Sequence, residues 1–109
     1  MSATGAWMAL VVAGVLEVVW AIALKYSDGF TKMAPSIVTI VAAAASFWLL
    51  AVALRVLPVG TAYAAWTGIG AVGAAVLGML LFDEPRNAMR IACIVAIVAG
   101  VAGLRIASK

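Results

Sequence analysis

Residues 4–24 read TGAWMALVVAGVLEVVWAIAL, 21 positions in a row with a single charge, Glu17. At about 1.5 Å per residue, a helix of that length reaches about 30 Å, the thickness of a bilayer's hydrocarbon core. The stretch is therefore read as a membrane-spanning helix. The pattern recurs three times. Residues 33–54 and 59–82 are apolar runs of similar length. A weaker run spans 88–104, where 14 residues separate Arg90 from Arg105. Both arginines can snorkel to the interfaces, which lengthens the usable span. The breaks are short: Tyr26 to Lys32 with an Asp28-Gly29 turn signal, Leu57-Pro58-Val59-Gly60, and Asp83 to Asn87. Pro35 sits near the start of the second run, where a missing N–H costs nothing. The runs are continuous, not alternating, and too few to close a sheet, so helices are expected and a barrel is not.

Composition agrees. Of 109 residues, 68% are apolar and 10% charged, against about 45–50% and 25% in soluble domains. A globule this small could not hide so much apolar surface. There is no His, and Cys93 is the only cysteine. An imidazole base, a Ser-His pair, a Cys₄ metal site and an internal disulfide are thereby excluded. The chain is read as no enzyme, without metal or cofactor. Its net charge of +3 comes from scattered residues, so no nucleic-acid partner is expected. The first run has no Lys or Arg before it, is too long for a signal peptide and contains an acid, so it is expected to stay. Residues 1–109 are read as one all-α, four-helix membrane unit.

The basic residues divide almost evenly. The side holding the N-terminus has Arg55, Arg105 and Lys109; the other has Lys25, Lys32, Arg86 and Arg90. Orientation follows Lys/Arg bias. So flat a balance permits either one dominant orientation or insertion both ways.

Glu17 lies fourteenth in its 21-residue run. An acid there costs on the order of 2–3 kcal/mol or more, must face protein or water, and is a functional candidate by default. Its helical neighbours are Ala13, Gly14, Trp20 and Ala21. Trp20 places an indole N–H, a donor only, one turn away. Ser46 is a lone hydroxyl deep in the second run, able to bond its own backbone or to orient the acid. In the third run Tyr63, Trp66, Thr67 and Gly70 share one face, with Thr61 nearby. Aromatic faces in a dry cavity attract cations. Gly68 and Gly70 mark a place where that helix can bend or pack closely. Ala92, Ala96 and Gly100, with Gly103 on an adjacent strip, suit a helix–helix seam, and Cys93 reads as a packing residue. Four helices make a poor cavity; two copies make an eight-helix unit with two Glu17 side chains in one pocket. A carboxylate pair that holds either protons or a cation, but not both, is an exchange device.

Several stretches carry a resemblance. They are Gly14-Val15-Leu16-Glu17-Val18-Val19-Trp20-Ala21, Lys25-Tyr26-Ser27-Asp28-Gly29-Phe30-Thr31, Ser46-Phe47-Trp48-Leu49-Leu50, and residues 58–70 from Pro58 to Gly70. In order and spacing they resemble the small multidrug resistance family, over essentially the whole chain. The resemblance implies a proton-coupled exporter of cations, multi-pass in the cell (inner) membrane, working as an antiparallel homodimer with dual insertion common. Val19-Trp20-Ala21 after the acid is similar to the guanidinium exporter branch; the polyaromatic and quaternary-ammonium branch usually has a small pair such as Gly-Thr there. Thr61 and Thr67-Gly68-Ile69-Gly70-Ala71 also fit the guanidinium branch. By resemblance Glu17 is the shared proton and substrate site, Trp20 and Ser46 hydrogen-bond it, Tyr63 and Trp66 line the pocket, and Gly14 lets the two first helices approach. The family's basic residue after the fourth helix is matched by Arg105.

Chemistry favours that branch. Guanidinium is planar, with N–H donors around its edge, and two opposed carboxylates can each take a parallel pair. The competing expectations are a broader quaternary ammonium exporter and, of a different class, a non-transporting membrane subunit.

Overall fold

The computed structural model describes residues 1–107; Lys109, counted above among the basic residues, lies outside the described residues. Four helices follow one another: α1 Ala3–Tyr26, α2 Met33–Ala53, α3 Val59–Leu81 and α4 Ala88–Ala107. Each is long and apolar enough to cross a membrane. α4 continues one turn past Leu104, where the apolar run ends. Nothing in Leu104-Arg105-Ile106-Ala107 breaks a helix, and an interfacial turn needs no apolarity to stay helical.

Local chemistry sets the ends. Ser2 Oγ accepts from Gly5 N–H at 3.0 Å, and Asn87 Oδ1 accepts from Arg90 N–H at 2.9 Å. Each satisfies an orphan donor of a first turn. Between α1 and α2 the backbone turns through three successive left-handed residues, Asp28, Gly29 and Phe30, with φ of 51°, 71° and 65°. Only glycine adopts that region without cost, so the other two are held by context. Ser27, fully buried, supplies it. Its hydroxyl donates to the Leu24 carbonyl at 2.7 Å and accepts from Phe30 N–H at 3.1 Å.

The chain runs up, down, up, down. Arg105 lies 5.1 Å from the Trp7 ring centre, joining the end of α4 to the start of α1. At the opposite end, Tyr26 and Phe82 rings meet at 5.1 Å and Lys25 lies 5.7 Å over Phe82. There the α3–α4 connection is clasped by an Arg90–Glu84 ion pair of 2.6 Å and by Arg86 donating to the Met79 carbonyl at 2.8 Å.

Packing is unequal. α1 packs along α2 and α3, while α4 packs mainly against α3. The core is built from Ala6, Trp7, Leu10 and Ala13 of α1 against Leu50 and Ala53 of α2 and Ala62, Ala65 and Trp66 of α3. Small residues dominate because helices in lipid associate by close packing, not by escaping water. The result is a slab of 41 × 35 × 16 Å. None of α4's described residues is buried.

Candidate functional site

Glu17 lies in the seam between α1 and α3. A methyl group added at Gly70 would stand 2.8 Å from Glu17 Cγ and would overlap the carboxyl atoms. Bare α3 backbone therefore underlies the acid. Glu17 Oε1 is buried, and so is Trp20 Nε1 one turn later; among the described residues neither has a hydrogen-bond partner within the protomer. The acceptor and the donor that the sequence placed on one face of α1 are thus both free within the protomer.

Ser46 is placed differently. It is fully buried, and its hydroxyl donates to the Ala13 carbonyl at 2.6 Å while accepting the Trp66 indole N–H at 2.9 Å. By helical geometry the Ala13 carbonyl also receives the N–H of Glu17. Ser46 thus grips the α1 backbone one turn before the acid and, among the described residues, does not bond the carboxylate itself. A single chain of hydrogen bonds ties α3 to α2 and α2 to α1. Of the residues the sequence assigned to the pocket and its hydrogen-bond network, Ser46 and Trp66 are the two in this chain.

Tyr63 leans on Trp66 with ring centres 5.6 Å apart, and Phe47 does the same from α2 at 5.2 Å. Tyr63 is exposed, so it presents its ring to whatever lies beside the protomer. Phe47 was not singled out by sequence reasoning. A phenylalanine in an apolar run carries no signal of its own, and only its place after Ser46 hinted at it.

The glycines are occupied rather than open. Gly14 receives Ile69 of α3, whose Cγ2 would lie 2.5 Å from an added methyl, so within the protomer this notch serves α3. Gly68 is covered by Val101 of α4 at 2.7 Å on the same measure. Across Gly68 and Gly70, α3 is one uninterrupted helix. In α4, by contrast, Gly100 and Gly103 have nothing within 4 Å of an added methyl, and Ala92 and Ala96 are exposed. Cys93 is exposed on the same helix.

An apolar cleft of 460 Å³ opens between α1, α3 and α4, lined by Val15, Val18, Val72, Val98 and Val101 among others. It contains no polar side chain and does not include Glu17, so it is not where a cation would meet the acid.

A mid-span acid, an unpartnered indole and an aromatic cluster, carried by three of the four spanning helices, make up the candidate site. The profile of the Small Multidrug Resistance protein family matches residues 5–97. The chain belongs to the small multidrug resistance family. Among its relatives, the Guanidinium exporter of Yersinia pestis is 58% identical over 103 residues, 94% of this chain and 99% of the relative. Those of Escherichia coli K12 and Citrobacter freundii are 54% and 55% identical over 102 residues, 94% of this chain and 97% of each relative. Membership and the four spans make this a multi-pass membrane protein of a transporter family.

Proposed function

We propose that this small multidrug resistance protein is a proton-coupled antiporter. It exports guanidinium and small guanidinyl cations across the inner cell membrane. It works as an antiparallel homodimer in which protons and substrate compete for the paired Glu17 side chains. The observation that carries this reading is Glu17 itself, the one acid inside its span, with a buried oxygen, Oε1, that has no hydrogen-bond partner among the described residues of its own protomer. A bare charge there is costly. Either a proton or a cation relieves the cost, and trading one for the other is antiport.

The three relatives named above, each sharing more than half of its aligned residues with this chain, are guanidinium exporters, which supports the choice of cation. Two opposed carboxylates match the flat, donor-edged ion, and the free Trp20 N–H can steady a carboxylate oxygen the cation leaves over. Tyr63, Trp66 and Phe47 offer ring faces to its charge. A slab 16 Å thick is little more than one helix deep and cannot wall in a cation on every side. A second copy supplies the far wall, with Ala92, Ala96, Gly100 and Gly103 of α4 as the seam. The even Lys/Arg balance suits two copies of opposite orientation. Bending of α3 at Gly68 and Gly70 then opens one side and closes the other.

The test is flux into liposomes under an imposed pH gradient, with guanidinium and tetrapropylammonium in parallel. Guanidinium movement coupled to protons is expected, with little for tetrapropylammonium. Equal movement of both ions would mark a broader exporter, and no movement of either would mark a non-transporting subunit.

A further inference from the structure

We propose that Gly70 is a positioning residue for Glu17: it seats the carboxyl group by shape, leaving open the volume a side chain would fill. The proposal rests on the reading of Glu17 as the shared proton and cation site. α1 and α3 interlock as alternating knobs and notches. Ile69 of α3 fills the notch at Gly14 of α1; Glu17 and Val18 of α1 fill those at Gly70 and Gly73 of α3. The first contact fixes the register that brings Gly70 under Glu17. Any β-carbon at 70 meets the carboxyl atoms before anything else, whereas one at 73 meets Val18 first.

The seat is unusual in what it lacks. Buried carboxyl oxygens are normally held by donors, yet Glu17 Oε1 has none among the described residues of the protomer. Its place is set by packing against backbone. A carboxyl group held this way can exchange a proton for a cation without first breaking a hydrogen bond. Among the described residues of the protomer no other charge faces Glu17; the charge that does, in the proposed dimer, is the Glu17 of the second copy. α2 and α3 carry no Asp, Glu, Lys or Arg within their helices. Their one titratable side chain, Tyr63, lies against Trp66. On α1 itself, Lys25 is two turns further on, over Phe82.

The experiment compares the intact dimer with Gly70→Ala, Gly73→Ala, Glu17→Asp and the double variant Gly70→Ala/Glu17→Asp. Two readouts are taken in detergent: titration of the Glu17 carboxyl band by infrared difference spectroscopy, assigned by its loss in Glu17→Gln, and guanidinium affinity. Both single glycine changes wedge the same seam, and both favour helix formation. Gly70→Ala should move the titration midpoint by about one pH unit and weaken guanidinium by about tenfold. Gly73→Ala should leave the midpoint at the wild-type value even if it lowers thermal stability. The shorter Asp retracts the carboxyl group from the added methyl, so the double variant should bind better than Gly70→Ala alone, a non-additive result. Should Gly70→Ala fail to assemble, the double variant still decides, because it is expected to assemble and bind. An unmoved midpoint in Gly70→Ala, an equal move in Gly73→Ala, or additivity in the double variant would overturn the proposal. Failure of the functional reading looks different: wild-type protein would bind no guanidinium while the infrared titration still distinguished positions 70 and 73.

Discussion

Two indoles of the candidate site, Trp66 and Trp20, differ in one respect. Trp66 spends its N–H on Ser46, which in turn holds the Ala13 carbonyl. Trp20 keeps its N–H buried and unspent, one turn from an equally unspent Glu17 oxygen. The first node is satisfied inside the protomer and reads as architecture, binding α1, α2 and α3 together. The second is left open, and an open buried donor beside an open acceptor is tolerated where something from outside completes it. Substitutions at the two nodes should therefore fail in different ways.

The largest effect is expected at the open node. Glu17→Gln removes the exchangeable charge, and pH-driven guanidinium flux should fall to the level of empty liposomes; Glu17→Asp should keep part of it at a shifted pH. In the unmodified protein, guanidinium affinity should fall as pH falls, because a protonated carboxyl group cannot pair with a cation. Binding titrations across a pH series check this. Next comes Trp20→Phe, which deletes only the N–H. A bond to a charged group is worth about 1.5–3 kcal/mol, so guanidinium should bind roughly one to two decades more weakly, while thermal denaturation stays near wild type. Ser46→Ala should do the opposite. It strands the Trp66 N–H in an apolar surround and lowers stability by about 1–2 kcal/mol, with the guanidinium-to-tetrapropylammonium ratio unchanged. A changed ratio in Ser46→Ala and an unchanged one in Trp20→Phe would erase the distinction between the nodes. The smallest effect is expected from two lysines added at the C-terminus. They tip a near-even charge balance and should lower flux partially when the variant is expressed alone. Labelling of single cysteines from each side checks the orientation.

The fold was legible because a bilayer simplifies the code. An apolar run long enough to cross has one stable answer, and Asp28-Gly29, Pro58 and Asp83 to Asn87 marked where each run stops. Glu17 was legible for the same reason, as the one residue in its span that lipid penalises. Ser46 stood out as a hydroxyl, but its partners did not. Which face of α2 meets α1 depends on how small residues such as Ala13, Ala42 and Ala53 let the helices close, and an alanine-rich run offers several such faces. The role of Gly70 was hidden likewise. Its spacing from Trp66 places it on the aromatic face, while the contact with Glu17 depends on Ile69 entering the Gly14 notch, a fit between two helices that neither run states alone. The clasp of Arg86, Glu84 and Arg90 could be seen only as a polar stretch, since pairing there depends on the turn that joins α3 to α4.

The central claim is that protons and guanidinium occupy Glu17 in turn. The most direct measurement adds guanidinium to the weakly buffered protein in detergent and follows the pH. Wild-type protein should release protons as it binds, saturating with the cation, and Glu17→Gln should release none. Guanidinium binding to the wild type without proton release, or equal release from Glu17→Gln, would contradict the account.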